Sequence, residues 1–304
     1  MKKIGFIGLG QMGKWMSLNL VKAGFDVWVL DINPEAVTFL TDQGAKAFES
    51  PAEMAQRVEV IFMSLPNTEI VESVVLGEKG IIHGAKQGLI VVDLSTIGYL
   101  PTLEIARRLR QRKIAFADAP VSGMEMRAKE GALTIMFGGE ESVFETLRPA
   151  FNAIGNSLVY MGAVGSGQLA KLINQLLFNI SCAGVAEVLP MAAKLGLDPE
   201  KITQVITTGT GRSFAAEFFV PLALENRFDE GYPIKHAYKD LISAAEISVH
   251  KKIPLPLVHA TTTTFQLALA EGLGDENKGS LIKVFERKLG VEFRKKEKNH
   301  EPSP

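Results

Sequence analysis

Gly8, Gly10 and Gly13 stand in the order G-x-G-x-x-G between an apolar run, "KIGFIGLG", and an amphipathic one, "MGKWMSLNLVKAG". The first run predicts a strand and the second a helix closed by Gly24, so the glycines fall on a tight strand-to-helix turn. In such a turn the first glycine permits the reversal, the second lets backbone approach a pyrophosphate, and the third lets helix pack closely on strand. The helix N-terminus adds N–H groups without intrahelical partners, which suit phosphate. The next strand, "DVWVLD", ends in Asp31, 23 positions after Gly8. A carboxylate there can accept from ribose hydroxyls and repels a 2′-phosphate, and Ile32 and Asn33 follow with no arginine to clamp one. The candidate dinucleotide cradle is therefore Gly8, Leu9, Gly10, Gln11, Met12, Gly13 and Asp31, with NAD preferred and NADP as the alternate.

The alternation continues. "VEVIFMSLP", "GLIVVDLST", "IAFADAPVSG" and "LTIMFGG" are strand-like, and "TEIVESVVLG" and "TLEIARRLRQRK" are helical. Strands continuous in Val, Ile, Leu or Phe predict a mostly parallel, doubly wound sheet covered on both faces. After Gly162 the pattern changes to a long helical run from about Val164 to Ala193, then further helices with Gly, Asp or Pro boundaries. The expected organisation is an α/β domain over 1–163, an all-α domain over 164–292 that begins with a long interdomain helix, and a charged tail over 293–304.

With 33 Lys+Arg against 34 Asp+Glu, the chain has no general attraction to nucleic acid or an anionic membrane, so neither is expected as a partner. No uninterrupted apolar run reaches the roughly 18 residues of a membrane span. The single cysteine, Cys182, excludes a disulfide framework within the chain and points to a reducing, cytoplasmic setting. The five histidines show no metal-ligand spacing, so no catalytic metal is expected; His236 is notable only for its nearness to Lys239.

Five motifs in order, "FIGLGQMG", "SLPN", "VDLST", "DAPVSG" and "GAVGSGQLAKLINQ", resemble the β-hydroxyacid dehydrogenase family, over the chain to about Val291. The resemblance implies a Rossmann domain joined by a long helix to an all-α domain, an NAD-linked oxidoreductase acting on a short β-hydroxy acid or its semialdehyde, and a homodimer or homotetramer. It puts Leu65 and Pro66 beside the cofactor and Thr96 near the nicotinamide ribose; as strand-end loop residues they also lie where ligands of this fold class bind. Ser122 and Gly123, a hydroxyl and a bare backbone N–H, are the implied holders of the substrate carboxylate. The family's usual next glycine is here Met124, and a later one is Arg127, which leaves the substrate's identity open.

Lys171, Asn174 and Gln175 share one face of the long helix by their i, i+3, i+4 spacing. A lysine in a mainly apolar helix is costly unless its ammonium snorkels to solvent, finds a partner or has work to do. The resemblance assigns the work: Lys171 is the acid-base residue, Asn174 orients the substrate and Gln175 belongs to the same substrate set. A free lysine, with pKa about 10.4, is a poor base at neutral pH; partial burial and a positive nicotinamide ring would favour its neutral amine. Lys239, in "AYKDL", matches a family lysine that reaches toward the nicotinamide, with Asp240 as an anchor, and Arg212, in "GTGRSFAAEFF", is a candidate reader of a second anionic group. Two other functions compete: an NADPH-dependent aldehyde-acid reductase, and a non-catalytic dinucleotide-binding protein, against which the Lys171–Asn174 pair argues.

Overall fold

The computed structural model describes residues 3–295. They form two compact units that divide between Lys171 and Leu172. In the first unit β1 (Lys3–Ile7), α1 (Gly13–Lys22), β2 (Asp26–Leu30), α2 (Pro34–Thr41) and β3 (Lys46–Ala47) come first. They are followed by α3 (Pro51–Arg57), β4 (Val60–Met63), α4 (Thr68–Leu76), α5 (Ile81–Gly84), β5 (Ile90–Asp93) and α6 (Tyr99–Gln111). β6 (Ala115–Asp118), β7 (Val121–Ser122), α7 (Met124–Lys129), β8 (Leu133–Gly138), α8 (Glu141–Ile154), β9 (Gly155–Gly162) and the first turns of α9 (Ser166–Lys194) complete it.

The sheet order is β3-β2-β1-β4-β5-β6-β8-β7, with β9 paired to β8. β3 through β6 are parallel, and β8 runs antiparallel to β6 and β7. The order reverses at β1 and β4, the point where parallel sheets open a crevice at the carboxyl ends of their strands. The strands "VIFM" and "IVVD" are apolar at successive positions because each face of the sheet is covered. On one face Phe6, Phe62, Phe137 and Phe151 pack with Met16 and Leu20 of α1 and Leu147 of α8. The other face packs Ile61, Met63 and Val91 with Met54 of α3, Val71 of α4 and Ile105 of α6. Each such buried side chain contributes about 1.5–3 kcal/mol. α8 and β9 are absent from the predicted pattern: α8 carries Pro149 inside it, and β9 leaves much of its length exposed.

The second unit holds the rest of α9, then α10 (Pro199–Thr208), α11 (Phe214–Leu224), α12 (Ile234–Lys251), α13 (Pro256–Ala270), a 3-10 turn (Lys278–Leu281) and α14 (Ile282–Leu289). Asp198 and Ser213 cap α10 and α11 by accepting from backbone N–H groups of their first turns. The core is built on Phe219, Ile234, Leu241, Phe265 and Phe293, with Cys182, Ala186 and Leu189 supplied by α9. Although α9 contains no long uninterrupted apolar run, it is long and apolar enough by composition to cross a membrane.

Two boundaries differ from those expected. The predicted division at 163/164 moves to Lys171/Leu172, because Gly165 and Gln168 are tied by hydrogen bonds to Asp118 and Ser95 of the α/β unit. The first residues of the charged tail expected from 293 are held by the folded second unit. Phe293 is fully buried, its N–H donates to Glu286 Oε1 at 2.7 Å, and Arg294 Nη1 donates to the same oxygen at 2.6 Å. The rest of the expected tail, 296–304, lies outside the described residues.

Candidate functional site

The glycine turn leaves β1 at its carboxyl end. Gly8 has φ +93°, and a Cβ on it would lie 2.3 Å from the Ser64 carbonyl oxygen; one on Gly13 would lie 1.9 Å from the Gly8 oxygen. These two glycines are demanded by the protein's own packing. Gly10 is different: a Cβ there meets nothing within 4 Å, and its φ is not positive. Neither backbone conformation nor neighbours require glycine at 10, whereas close approach of a pyrophosphate does. Met12, at the N-cap of α1, gives no side-chain hydrogen bond, so the first N–H groups are left to a ligand or solvent. Asp31 Oδ2 accepts from Leu9 N–H at 2.5 Å, and Oδ1 accepts from Asn33 N–H at 2.7 Å. The carboxylate thus fastens the second strand's end to the cradle, and each oxygen keeps a lone pair for a ribose hydroxyl.

Further along the same edge, Leu65 and Pro66 follow β4 and Thr96 follows β5. Leu65 N–H donates to Ser95 Oγ at 2.8 Å, which links the two loops. Ser122 ends β7, and Gly123 precedes α7 with φ +143°. A Cβ on Gly123 would sit 2.9 Å from Arg127 Cβ, so Arg127 packs its stem under this glycine while its Nη2 donates to Asn156 Oδ1 at 3.3 Å. Met124 holds φ +60°, a left-handed conformation rare for a side-chain-bearing residue, and keeps 47% of its surface exposed. Backbone strain of this kind gathers at ligand-binding positions.

The N-terminus of α9 is organised by a residue the sequence reading quoted without assigning a role. Asp118, fully buried at the end of β6, accepts from Gly165 N–H at 2.6 Å through Oδ1 and from Gln168 N–H at 2.7 Å through Oδ2. Burial pushes its carboxyl up to about 6, against the pull of the backbone N–H groups it accepts from. Gly138 and Gly167 make room for it: a Cβ on either would lie within 2.8 Å of an Asp118 carboxylate oxygen. Gln168 donates to the Ser95 carbonyl at 2.8 Å and accepts from Ile97 N–H at 3.3 Å, joining the helix start to the loop of Thr96. An acid closing the apolar strand "AFAD" was the available sequence signal. Lys171, less than one turn beyond Gln168, is only 9% exposed.

In the all-α unit Asn174 is exposed, with its Nδ2 donating to Gln175 Oε1 at 3.3 Å. Gln175 Nε2 donates to the buried Asp240 at 3.3 Å, so α9 and α12 are joined beside Lys239, which is half-buried. Arg212 Nε donates to Glu217 at 2.9 Å in an exposed pair worth about 0.2–1 kcal/mol. Burial raises the Cys182 thiol to about 11. Among the described residues no group of three His, Cys, Asp or Glu side chains is placed to hold a metal ion.

Residues 3–162 match the family model described as the NAD binding domain of 6-phosphogluconate dehydrogenase. Residues 165–285 match that described as NAD-binding of NADP-dependent 3-hydroxyisobutyrate dehydrogenase. The chain is 38% identical to the 2-(hydroxymethyl)glutarate dehydrogenase of Eubacterium barkeri, over 95% of this chain and 96% of that protein. It is 34% identical to the 2-hydroxy-3-oxopropionate reductase of Escherichia coli, over 93% and 97% of the two. Among solved structures, a 3-hydroxyisobutyrate dehydrogenase from Salmonella typhimurium superposes with a TM-score of 0.83 at 30% identity, covering 94% of this chain and 100% of that one. By these matches, and in keeping with its glycine cradle, Asp31 and buried Lys171, the chain belongs to the β-hydroxyacid dehydrogenase family of NAD(P)-dependent oxidoreductases.

Proposed function

We propose that this enzyme interconverts a short-chain β-hydroxy acid and its semialdehyde, with NAD(H) preferred over NADP(H). The observation that carries the reading is Lys171: a lysine 9% exposed on α9, in the same unit as the glycine cradle and the Ser122–Gly123 loop. When bound, the nicotinamide supplies the hydride acceptor or donor. Ser122 Oγ and Gly123 N–H receive the substrate carboxylate, and the Lys171 amine takes the hydroxyl proton as the C–H bond breaks. In the reverse direction the ammonium returns that proton to the developing alkoxide. Asn174 orients the reacting oxygen through a neutral amide, which leaves the lysine free to lose its charge. Gln175 and Lys239 keep the roles that the family resemblance implies.

The preference for NAD rests on Asp31, whose charge opposes a 2′-phosphate, and on Ile32, fully exposed beside it and unable to bind one. An NADPH-dependent aldehyde-acid reductase is the second reading, favoured by the match to a family model described from an NADP-dependent relative. Arg212 is proposed as the reader of a second carboxylate on a dicarboxylic substrate such as that named for the Eubacterium barkeri relative; its exposed bond to Glu217 is weak enough to exchange. A homodimer or homotetramer, a cytoplasmic setting consistent with one buried cysteine, and no nucleic-acid or membrane partner complete the proposal.

The test is turnover of 3-hydroxyisobutyrate, glycerate, tartronate semialdehyde, 2-(hydroxymethyl)glutarate and succinic semialdehyde with each cofactor, for the wild type and Lys171→Ala. Loss of turnover with cofactor binding retained is expected for the variant. Unchanged turnover would remove the assigned chemistry, and no turnover of any acid by the wild type would favour a non-catalytic dinucleotide-binding role.

A further inference from the structure

α7 is tied to α1 at two points. Trp15, in the first turn of α1 and two residues beyond the last cradle glycine, donates its indole N–H to Glu125 Oε1 at 2.9 Å. Glu125 lies in the first turn of α7, two residues beyond Gly123. One turn further along α1, Asn19 Nδ2 donates to the Ala128 carbonyl at 2.8 Å. An i, i+4 pair on α1 thus meets an i, i+3 pair on α7, and the short helix is held at its start and near its end.

The direction of the indole N–H is set by its surroundings. Lys14 and Lys129 each hold an ammonium 4.7 Å from the centroid of the Trp15 ring, and Phe39 meets the ring edge-on at 6.0 Å. Glu125 also pairs with Lys129 Nζ at 3.0 Å, and the hydrogen bonds from Lys129 and Trp15 keep its carboxyl below the ordinary carboxylate range. α1 is anchored in the core by Met16, Leu18 and Leu20. What the ties hold is the acid loop. Gly123 at φ +143° and Met124 at φ +60° separate Ser122 from Glu125, and a left-handed methionine persists only where the structure on both sides dictates it. On one side β7 is paired to β8, with Ser122 opposite Thr134; on the other, α7 is pinned to α1. The Glu125 side chain stays 40% exposed, so the contact adds little to the core.

We infer that Trp15 is a positioning residue for the substrate: through Glu125 it fixes Ser122 Oγ and Gly123 N–H in register with the dinucleotide cradle. The inference rests on the reading of Ser122 and Gly123 as holders of the substrate carboxylate. The helix that opens at Gly13 is then the common reference for both ligands. Because the indole N–H is directed to α7, its loss acts on the acid and spares the dinucleotide.

Two measurements test this: steady-state kinetics on the acid that the wild type turns over best, and calorimetry of isobutyrate, a carboxylate without the reacting hydroxyl, on the NAD complex. Trp15→Phe keeps the ring and loses the N–H, whereas Glu125→Ala removes the acceptor at a position that is 40% exposed. Each should raise KM and the isobutyrate Kd about tenfold, the weak end of a hydrogen bond to a charged acceptor, with kcat and NADH affinity within about twofold of the wild type. The double variant should be no worse than either single one, because both remove the same bond. Glu125→Gln still offers the indole an oxygen and should return KM to within about threefold of the wild type. Unchanged KM in Trp15→Phe, additive losses in the double variant, or a loss confined to NADH affinity would overturn the assignment and leave the proposed function standing. A wild type that neither turns over an acid nor binds isobutyrate would overturn both.

Discussion

Replacing Asp118 by Asn tests how the start of α9 is held. The carboxylate uses both oxygens as acceptors, from Gly165 N–H at 2.6 Å and Gln168 N–H at 2.7 Å. An amide of the same shape offers one acceptor and turns its NH₂ toward the other N–H, leaving buried donors facing each other. A hydrogen bond to a charged group is worth about 1.5–3 kcal/mol, and a buried unsatisfied donor costs a similar amount, so the loss at pH 7.5 is about 2–4 kcal/mol. The pH dependence supplies a second check. Because burial raises the folded pKa to about 6 from 3.8, the folded state holds its proton more tightly than the unfolded chain. This contribution is full below pH 3.8 and is lost as pH rises through about 6. Asp118→Asn lacks it, so the wild type's advantage should widen by about 2 kcal/mol between pH 7.5 and 4.5, at 1.36 kcal/mol per unit. Urea unfolding of both proteins at the two pH values measures this. A variant as stable as the wild type at pH 7.5, or an advantage that narrows toward pH 4.5, would refute the reasoning. Lys171 stands less than one turn beyond Gln168, so kcat should fall in the variant while dinucleotide affinity changes little.

Gly13→Ala should abolish folding or lower Tm by more than 10 °C, since its Cβ would lie 1.9 Å from a carbonyl oxygen; Gly10→Ala should keep Tm and weaken NADH binding, read by fluorescence titration. Equal effects on Tm would defeat the division drawn between these glycines. Met124→Gly should stabilise the protein by roughly 0.5 kcal/mol, the relief of a left-handed residue less the entropy glycine gains in the unfolded chain; a destabilised variant would mean the Met124 side chain packs more than its exposure suggests. Asp31→Asn should reduce the preference for NAD over NADP in kcat/KM and soften the cradle, because the same carboxylate anchors Leu9 N–H. An unchanged cofactor ratio would remove Asp31 from cofactor choice.

Much of this molecule is legible in its sequence. The glycine spacing, the acid at 31 and the apolar strand runs are local signals, since turn sterics and period-2 or period-3.6 burial act on neighbours in sequence. The five motifs identified the family and its candidate residues, and the helical character of the second half follows from Gly, Asp and Pro boundaries. What the sequence left open depends on groups distant along the chain. Asp118 is an unremarkable strand-end acid until folding delivers the N–H groups of Gly165 and Gln168 to it, 47 and 50 residues away, and burial then raises its pKa. Gly8, Gly10 and Gly13 look equivalent in a motif, yet only the fold puts backbone oxygens against two of them and open space beside the third. The long helix was visible in its composition, but which of its apolar residues the core consumes, and which stay on the surface, was decided only by the packing of the helices beside it, because burial is a property of neighbours and not of the residue.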